Sequence, residues 1–487
     1  MPDYLAVDLG AESGRVVRGT FDGGHLTVEE IHRFVNQPMT LRDGLHWDVS
    51  TLFAELSAGL AAAAGVAGRG RAASVGIDTW GNDFALLGPD GALVCDPWHH
   101  RDRRTDGVTA RILARAEGAE LYRTTGTPPL PINTATQLVA MEGSALLDEA
   151  DRLALLPDLF AYWLTGEHAT DQTIASTSQL MDVSARRWSL DVIKQLGVPA
   201  RLFQGEVVPP GTPVGQVLAS GVAGAALPGV PVIAVAGHDT ASAVAAVPAA
   251  GAFGYVSSGT WSLVGLELPE PVLTDEARRA GFSNEAGVGG TVRFLRNGTG
   301  LWLLQRCRAA WRRTAPLSYS ELTSAAGREP GFRTLFDPDD PTFLWEGDVP
   351  ARIAEICAAT GQPVPVDPAG TARCILDSLA CRYRWTLERA EALSGHAAEV
   401  VHIVGGGAAN TVLCQLTADV MGRPVFAGPV EATAIGNILV QAWTARELGS
   451  LADLRAVVRR SMPPRIYEPR RDRGEFEAAY ARFVALL

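Results

Sequence analysis

YLAVDLGAESGRVVR, residues 4–18, is the stretch whose reading decides the fold. Tyr4 to Asp8 is an apolar run ending on an acid, Arg15 to Arg18 is a second strand-forming run, and Gly10 to Gly14 turn the chain between them. Leu26 to Phe34 reads as a third strand. Strands that follow one another through tight turns form a meander rather than a strand feeding a helix. The same figure returns in YVSSGTWSLVG, residues 255–265. The echo predicts two related halves, each opening on a hairpin.

Between and beyond these hairpins the pattern alternates strand and helix, so the fold class is α/β. Val49 to Ala64 carries apolar residues at helical spacing, Ala73 to Ile77 and Phe84 to Leu87 read as strands, and Ala92 to Cys95 is expected to pair back after the Pro89-Asp90-Gly91 turn. The middle is mainly helical, at 107–117, 134–142 and 158–165. Val230 to Ala236 is a buried, parallel-type strand that stops at Gly237-His238-Asp239-Thr240, with a helix beginning at Ala241. Asp377 to Leu393 is a long helical segment; Val400 to Val404, Gly405 to Gly407 and Asn410 to Met421 read as strand, glycine loop and helix. The main boundary falls at residues 240–250, giving parts 1–245 and 246–487, with a helical segment from about residue 435.

Composition excludes several chemistries. The 487 residues include 42 Lys+Arg against 54 Asp+Glu, a net charge of −12, which argues against nonspecific nucleic-acid binding. Only one basic residue, Lys194, is a lysine, and it lies in no Gly-Lys-Ser/Thr or Val-Ala-Ile-Lys context. A phosphate-loop NTPase and a protein-kinase fold are both ruled out on that ground. The 6 cysteines form no Cys-x-x-Cys, so neither a zinc site nor a redox dithiol is expected. The start MPDYLAVDLG lacks the basic region and apolar run of a signal peptide. Leu52 to Gly68, the longest weakly polar stretch, contains Glu55 and is too short to span a bilayer. These features read as a cytoplasmic protein without membrane or nucleic-acid partners.

Five stretches can carry chemistry. In Asp8-Leu-Gly-Ala-Glu-Ser-Gly-Arg15, glycines let the backbone approach a ligand, successive N–H groups and the Ser13 hydroxyl can meet a phosphate, and Asp8 can hold magnesium through water; an ordinary hairpin turn would look the same. Asp239 ends a buried strand where open α/β sheets bind ligands, and could accept a hydroxyl proton, or serve as a helix cap. Ser257 to Ser262 repeats the phosphate hairpin, or is a core turn. Gly405 to Gly407 give a nucleotide room against the backbone, but Asn410 stands where a dinucleotide motif needs its last glycine. Ile77-Asp-Thr-Trp-Gly-Asn-Asp83 offers an indole and carboxylates suited to a sugar, or a structural turn. His99-His100 are adjacent and point to opposite faces of a strand, which disfavours one shared metal ion.

Taken in order, these stretches resemble the FGGY carbohydrate kinases of the actin/hexokinase-like ATPase superfamily. AVDLGAESGRV (6–16), GIDTWGNDF (76–84), HDTASAV (238–244), SSGTWSLVG (257–265), RFLRN (293–297), GLWLLQRCR (300–308), HIVGGGAAN (402–410) and GPVEATAIGN (428–437) carry the likeness, which runs from Tyr4 to about Tyr467. Glu12, Asn82, His100 and Gly298-Thr299 depart from the family's pattern. The resemblance implies two actin-like, ribonuclease H-like domains flanking a catalytic cleft. It implies phosphoryl transfer from MgATP to the 1-hydroxyl of L-rhamnulose, with another ketose or deoxy-ketose such as L-fuculose or xylulose as the alternative. On this likeness Asp239 is the base and Asp8 holds magnesium. Ala11, Glu12, Ser13, Gly14, Arg15, Thr260, Gln305 and Gly406 meet ATP, while Gly81, His238, Asp239, Thr240 and Asn297 meet the sugar.

Overall fold

A computed structural model describes residues 1–67, 72–344, 347–470 and 472–487. The chain packs into two units. The first comprises Met1–Pro248, Glu267–Phe294 and Ala432–Ser461, and the second Ala249–Leu266, Leu295–Glu431 and Met462–Leu487. The first crossing, between Pro248 and Ala249, lies within residues 240–250, and two later segments, Glu267–Phe294 and Ala432–Ser461, count with the first unit.

The first unit is built on six strands: β1 (Asp3–Leu9), β2 (Ser13–Phe21), β3 (Leu26–Val35), β4 (Ala72–Thr79), β5 (Thr212–Gln216) and β6 (Pro231–Ala234), in the order β5-β6-β4-β1-β2-β3. The meander β1-β2-β3 is antiparallel, while β4 runs parallel to β1 and β6 parallel to β4. The register sets Asp8 of β1 beside Asp78 of β4. Central strand β1 is buried along its whole length, as the unbroken apolar run requires.

A second sheet, most of it in the second unit, repeats the plan with β7 (Phe253–Ser258), β8 (Trp261–Leu268), β9 (Val292–Thr299, of which Val292–Phe294 count with the first unit), β10 (Val400–Val404), β11 (Val425–Ala427) and β12 (Arg465–Tyr467). Their order, β9-β8-β7-β10-β11-β12, is again a meander followed by two parallel strands and an antiparallel edge, with Ser283–Ala286 added beyond β9 as a seventh strand. The weak echo between residues 4–18 and 255–265 is thus a repeat of topology. One difference is the edge strand: β5 precedes its neighbour in the chain, whereas β12 follows it.

Two expectations shift. Phe84–Leu87 takes Arg152–Leu155 as its antiparallel partner, and the segment after the Pro89 turn meets it only at the Leu87–Leu93 bridge. The long helix begins earlier, at Pro368, because Asp367 caps it by accepting from Gly370 N–H, and it runs to Ser394.

Helix Val49–Ala67 has 19 residues and is long and apolar enough to cross a bilayer by length and composition alone, so shortness does not decide its place. Packing does: Val49, Leu52, Leu56, Leu60 and Ala63 recur at helical spacing and are buried in the core over the first sheet. Gly68, the end of the stretch singled out from sequence, lies outside the described residues. Helix Ala432–Thr444 returns to the first unit and packs on the helix Asp239–Ala245. Close approach there requires Gly436, since a Cβ would lie 1.9 Å from the Ser242 carbonyl oxygen.

In the second unit, Cys357 and Cys374 are both free thiols close enough to hydrogen-bond.

Candidate active site

Three carboxylates gather at the C-terminal ends of the parallel strands of the first unit. Asp8 lies one residue before the end of β1, Asp78 one before the end of β4, and Asp239 follows β6. Asp78 is fully buried, and its carboxyl is raised well above the usual range, first by burial and then by the Asp8 charge. Asn437 Nδ2 donates to Asp78 Oδ2 at 2.6 Å, and Gln441 Nε2 in turn donates to Asn437 Oδ1 at 2.7 Å. Asp78 Oδ1 is buried and has no hydrogen-bond partner among the described residues.

Asp239 opens the helix Asp239–Ala245, and its side chain keeps 29% exposure. Thr240 donates to Oδ1 from its N–H at 2.5 Å and its hydroxyl at 3.0 Å, leaving Oδ2 without a hydrogen bond from the described residues. Burial raises the Asp239 carboxyl above its ordinary value; His238 opposes this and Asp8 reinforces it. A carboxylate with one oxygen held and the other open, and with raised basicity, can take a proton. The loop before it is pinned from behind. Asp171 Oδ1 accepts from Gly237 N–H at 2.9 Å, the Thr173 hydroxyl accepts from His238 N–H at 3.1 Å, and Thr79 N–H donates to the Gly237 carbonyl at 2.9 Å.

The first hairpin is similarly tied. Gly10 N–H donates to the Ser13 carbonyl at 2.9 Å, and the buried Asn36 donates its amide to the Gly10 carbonyl at 2.9 Å. Glu12 is exposed, with Ala11, Ser13 and Arg15 partly so and Gly14 buried. Arg15 reaches Asp8, with Nε and Nη2 at 2.9 and 2.6 Å from Oδ2.

The hairpin Thr79–Phe84 corrects one expectation. Trp80 and Asp83 are not available to a sugar, because they build a buried hub. Asp83 Oδ2 accepts from Trp47 Nε1 (2.7 Å) and Trp80 Nε1 (2.8 Å), and meets His100 Nδ1 at 2.8 Å; Oδ1 accepts from Gln137 Nε2 at 3.0 Å. Burial would raise this carboxyl, but His100 and the other donors hold it down at about 2. His99 stacks on Trp47, and burial lowers it to about 3. Both histidines therefore belong to the hub. Asn82 has φ of 74°, a left-handed backbone that asparagine tolerates better than most residues. Gly81 remains at the hairpin tip, beside Thr177.

In the second unit, Thr260 lies at the tip joining β7 to β8, where Gly259 N–H donates to the Trp261 carbonyl at 2.8 Å. Ser262 and Tyr383 hydroxyls pair at 2.6 Å and hold the hairpin's stem. Helix Trp302–Trp311 starts beside it, with Trp302 N–H donating to the Thr260 carbonyl at 3.2 Å. Gln305 on that helix lines a cleft of about 420 Å³ with Arg308, Arg312, Leu317 and Ser318. Asn297 is on β9, next to a stretch held by Asp339, which accepts from Thr299 N–H at 2.7 Å and Arg296 Nη1 at 2.8 Å.

The glycine loop lies against this hairpin. A Cβ on Gly407 would fall 2.0 Å from Ser258 Oγ, whereas one on Gly406 would meet nothing within 4 Å. Gly407→Ala is therefore expected to lower stability by about 1–3 kcal/mol through overpacking, and Gly406→Ala to leave it near wild type. Thermal unfolding of the two variants checks this; equal midpoints would contradict the close approach.

Against known proteins, models of the FGGY family of carbohydrate kinases match residues 3–246 (N-terminal domain) and 254–445 (C-terminal domain). The chain belongs to the FGGY family of carbohydrate kinases. It is 44% identical over 485 residues to the rhamnulokinase of Bacteroides thetaiotaomicron, covering 99% of this chain and 98% of that one. It is 38% identical over 472 residues to the rhamnulokinase of Enterococcus faecalis, covering 96% and 94%. Among solved structures, a xylulose kinase from Rhodospirillum rubrum aligns with a TM-score of 0.81 at 18% identity, over 99% of this chain and 98% of that one. The FGGY fold is thus shared by both units, and a sugar kinase is the class of enzyme.

Magnesium fits what is present. Asp8 raises both Asp78 and Asp239 by charge, a crowding that a hard cation bound through oxygen would relieve. Among the described residues no three acidic, His or Cys side chains are grouped so as to hold a metal ion by themselves.

Sequence reasoning missed Asn437 and Gln441 as partners of the carboxylate row, and Glu285 and Arg293 behind His238. Asn437 and Arg293 stood inside GPVEATAIGN and RFLRN, but nothing local showed what they touch.

Proposed function

We propose that this FGGY kinase is a rhamnulokinase, transferring the terminal phosphoryl group of MgATP to the 1-hydroxyl of L-rhamnulose in the cytoplasm. The observation that carries the proposal is the half-open Asp239 at its strand terminus, in a chain that follows rhamnulokinases over nearly its whole length. In this reading Asp239 Oδ2 accepts the hydroxyl proton as the sugar oxygen attacks phosphorus. Gly81, His238, Thr240 and Asn297 orient the sugar. Ala11 to Arg15 and Thr260 present backbone N–H groups and hydroxyls to the phosphates, and Gln305 and Gly406 lie beside the nucleoside. Bound magnesium supplies neutralisation of phosphate charge, and Asp8 is the residue to hold it through water. Residues 1–245 then carry the first phosphate hairpin, the base and all of the sugar site except Asn297, and 246–487 the second hairpin and adenosine loop.

A panel of ketoses in an ADP-release assay tests the substrate. L-rhamnulose is expected to give the highest kcat/KM by about 10-fold or more, the scale of a lost substrate hydrogen bond. A higher value with L-fuculose or xylulose would transfer the assignment to that sugar. No ADP release with any sugar would end the kinase reading.

A further inference from the structure

The ring of His238 is held on both sides, and the hold behind it comes from a buried ion pair that no step above uses. Arg293, on β9, is fully buried at 0% exposure, and Glu285, on the strand Ser283–Ala286, is nearly so. Arg293 Nη2 lies 3.1 Å from His238 Nδ1 and 3.0 Å from Glu285 Oε2. Arg293 Nε donates to the Ala286 carbonyl at 3.2 Å. Glu285 Oε2 is itself 3.2 Å from His238 Nδ1. Across the ring, His238 Nε2 is 3.4 Å from Asp239 Oδ1.

A guanidinium only donates. If Arg293 donates to Nδ1, that nitrogen offers its lone pair, and the ring's one proton sits on Nε2. Nη2 then donates to His238 Nδ1, while Glu285 Oε2, 3.0 Å from it, supplies the counter-charge rather than a hydrogen-bond acceptor. The opposite tautomer would give Nδ1–H to Glu285, but it would aim an arginine hydrogen at an N–H and set the Nε2 lone pair against the Asp239 carboxylate. Both contacts are repulsive. Glu285 is needed because a fully buried guanidinium without a counter-charge is costly.

We propose that Glu285 and Arg293 are positioning residues that lock His238 as its Nε2–H tautomer, making it a fixed hydrogen-bond donor to a sugar oxygen beside Asp239. This rests on the placing of His238 in the sugar site. It makes the ring a one-way reader: it binds an oxygen that accepts and cannot pair with a group that only donates. It also keeps the ring from taking the hydroxyl proton in place of Asp239 at Nδ1.

The test has two arms. The first is nitrogen-15 NMR of the ligand-free, histidine-labelled chain, with the His238 signals assigned by their loss in His238→Asn. The Nε2–H tautomer is expected at neutral pH; an Nδ1–H ring or a doubly protonated one overturns the proposal. The second arm is the double variant Glu285→Leu/Arg293→Met, which removes the pair without leaving a lone buried charge. Sugar KM is expected to rise about 10-fold or more, the scale of one misdirected hydrogen bond, with ATP KM within about 2-fold of wild type. An unchanged sugar KM in the folded double variant overturns the proposal. If that variant does not fold, the wild-type NMR result decides alone. A wrong tautomer in an enzyme active on L-rhamnulose overturns only this lock, whereas silence of the wild type with every sugar brings down the kinase reading and the lock with it.

Discussion

Asp239→Asn is expected to lower kcat by about 10²–10⁴-fold, the usual contribution of a positioned base, while ATP binding by calorimetry stays near wild type. The amide keeps the shape and can still accept from the Thr240 N–H and hydroxyl, so the helix start survives. What it loses is the open oxygen able to hold a proton. A second effect runs the other way. Burial and Asp8 raise the Asp239 carboxyl in the folded chain, so at neutral pH its charge costs stability, and that cost disappears as pH falls through the raised value. Removing the charge should leave the thermal midpoint equal to or above wild type. Loss of turnover with unchanged or higher stability is the signature of a site strained for function. A purified variant keeping more than a few per cent of kcat would show that another group takes the proton.

The second large effect is structural. Asp83→Asn is expected to destabilise the first unit by about 3 kcal/mol or more. Its two oxygens receive two indoles, a histidine and a glutamine, and an amide nitrogen in either position would face a donor. The carboxyl is held at about 2 in the folded state, against an ordinary value near 3.8. Its contribution is therefore fully present above about pH 4 and is lost as pH falls toward 2, a change of about 2 kcal/mol. Because the side chain is 0% exposed, solvent screening does not reduce it. Urea midpoints of wild type and variant, compared at pH 7, 5 and 3, should stay apart at the first two and begin to converge at the last. A gap below about 0.5 kcal/mol at pH 7 would mean the hub does not carry the charge assigned to it.

What could be read from the sequence was local. Glycines at 10 and 14, and again at 259, mark the two hairpins although none of the three has a positive φ; Gly14 is required instead by the close approach of Phe34, and Asp239 announces itself by following an apolar strand. The departures came where partners are distant. Trp80 and Asp83 look like sugar-binding groups within their own hairpin, yet their fate is set by Trp47 and Gln137, 36 and 54 residues away from Asp83. His238 meets Arg293 across 55 residues. Spacing along a chain carries no record of such contacts, which only the packed sheet creates. The same holds for the division into units, since Ala432–Ser461 bears no local sign that it returns to the first.

That late return bears on how the protein is made. Asn437 reaches Asp78 across 359 residues, and Gln441 reaches the Leu5 carbonyl across 436. While a ribosome is translating the middle of the message, the opening sheet has been synthesised but its acid row lacks the amides that close it. The nascent protein must wait, half-dressed, until residues 437 and 441 have been made. A fragment ending at Pro248 would therefore be a client for chaperones rather than a free-standing module, and a split of this gene for complementation has to give residues 432–461 back to the N-terminal piece.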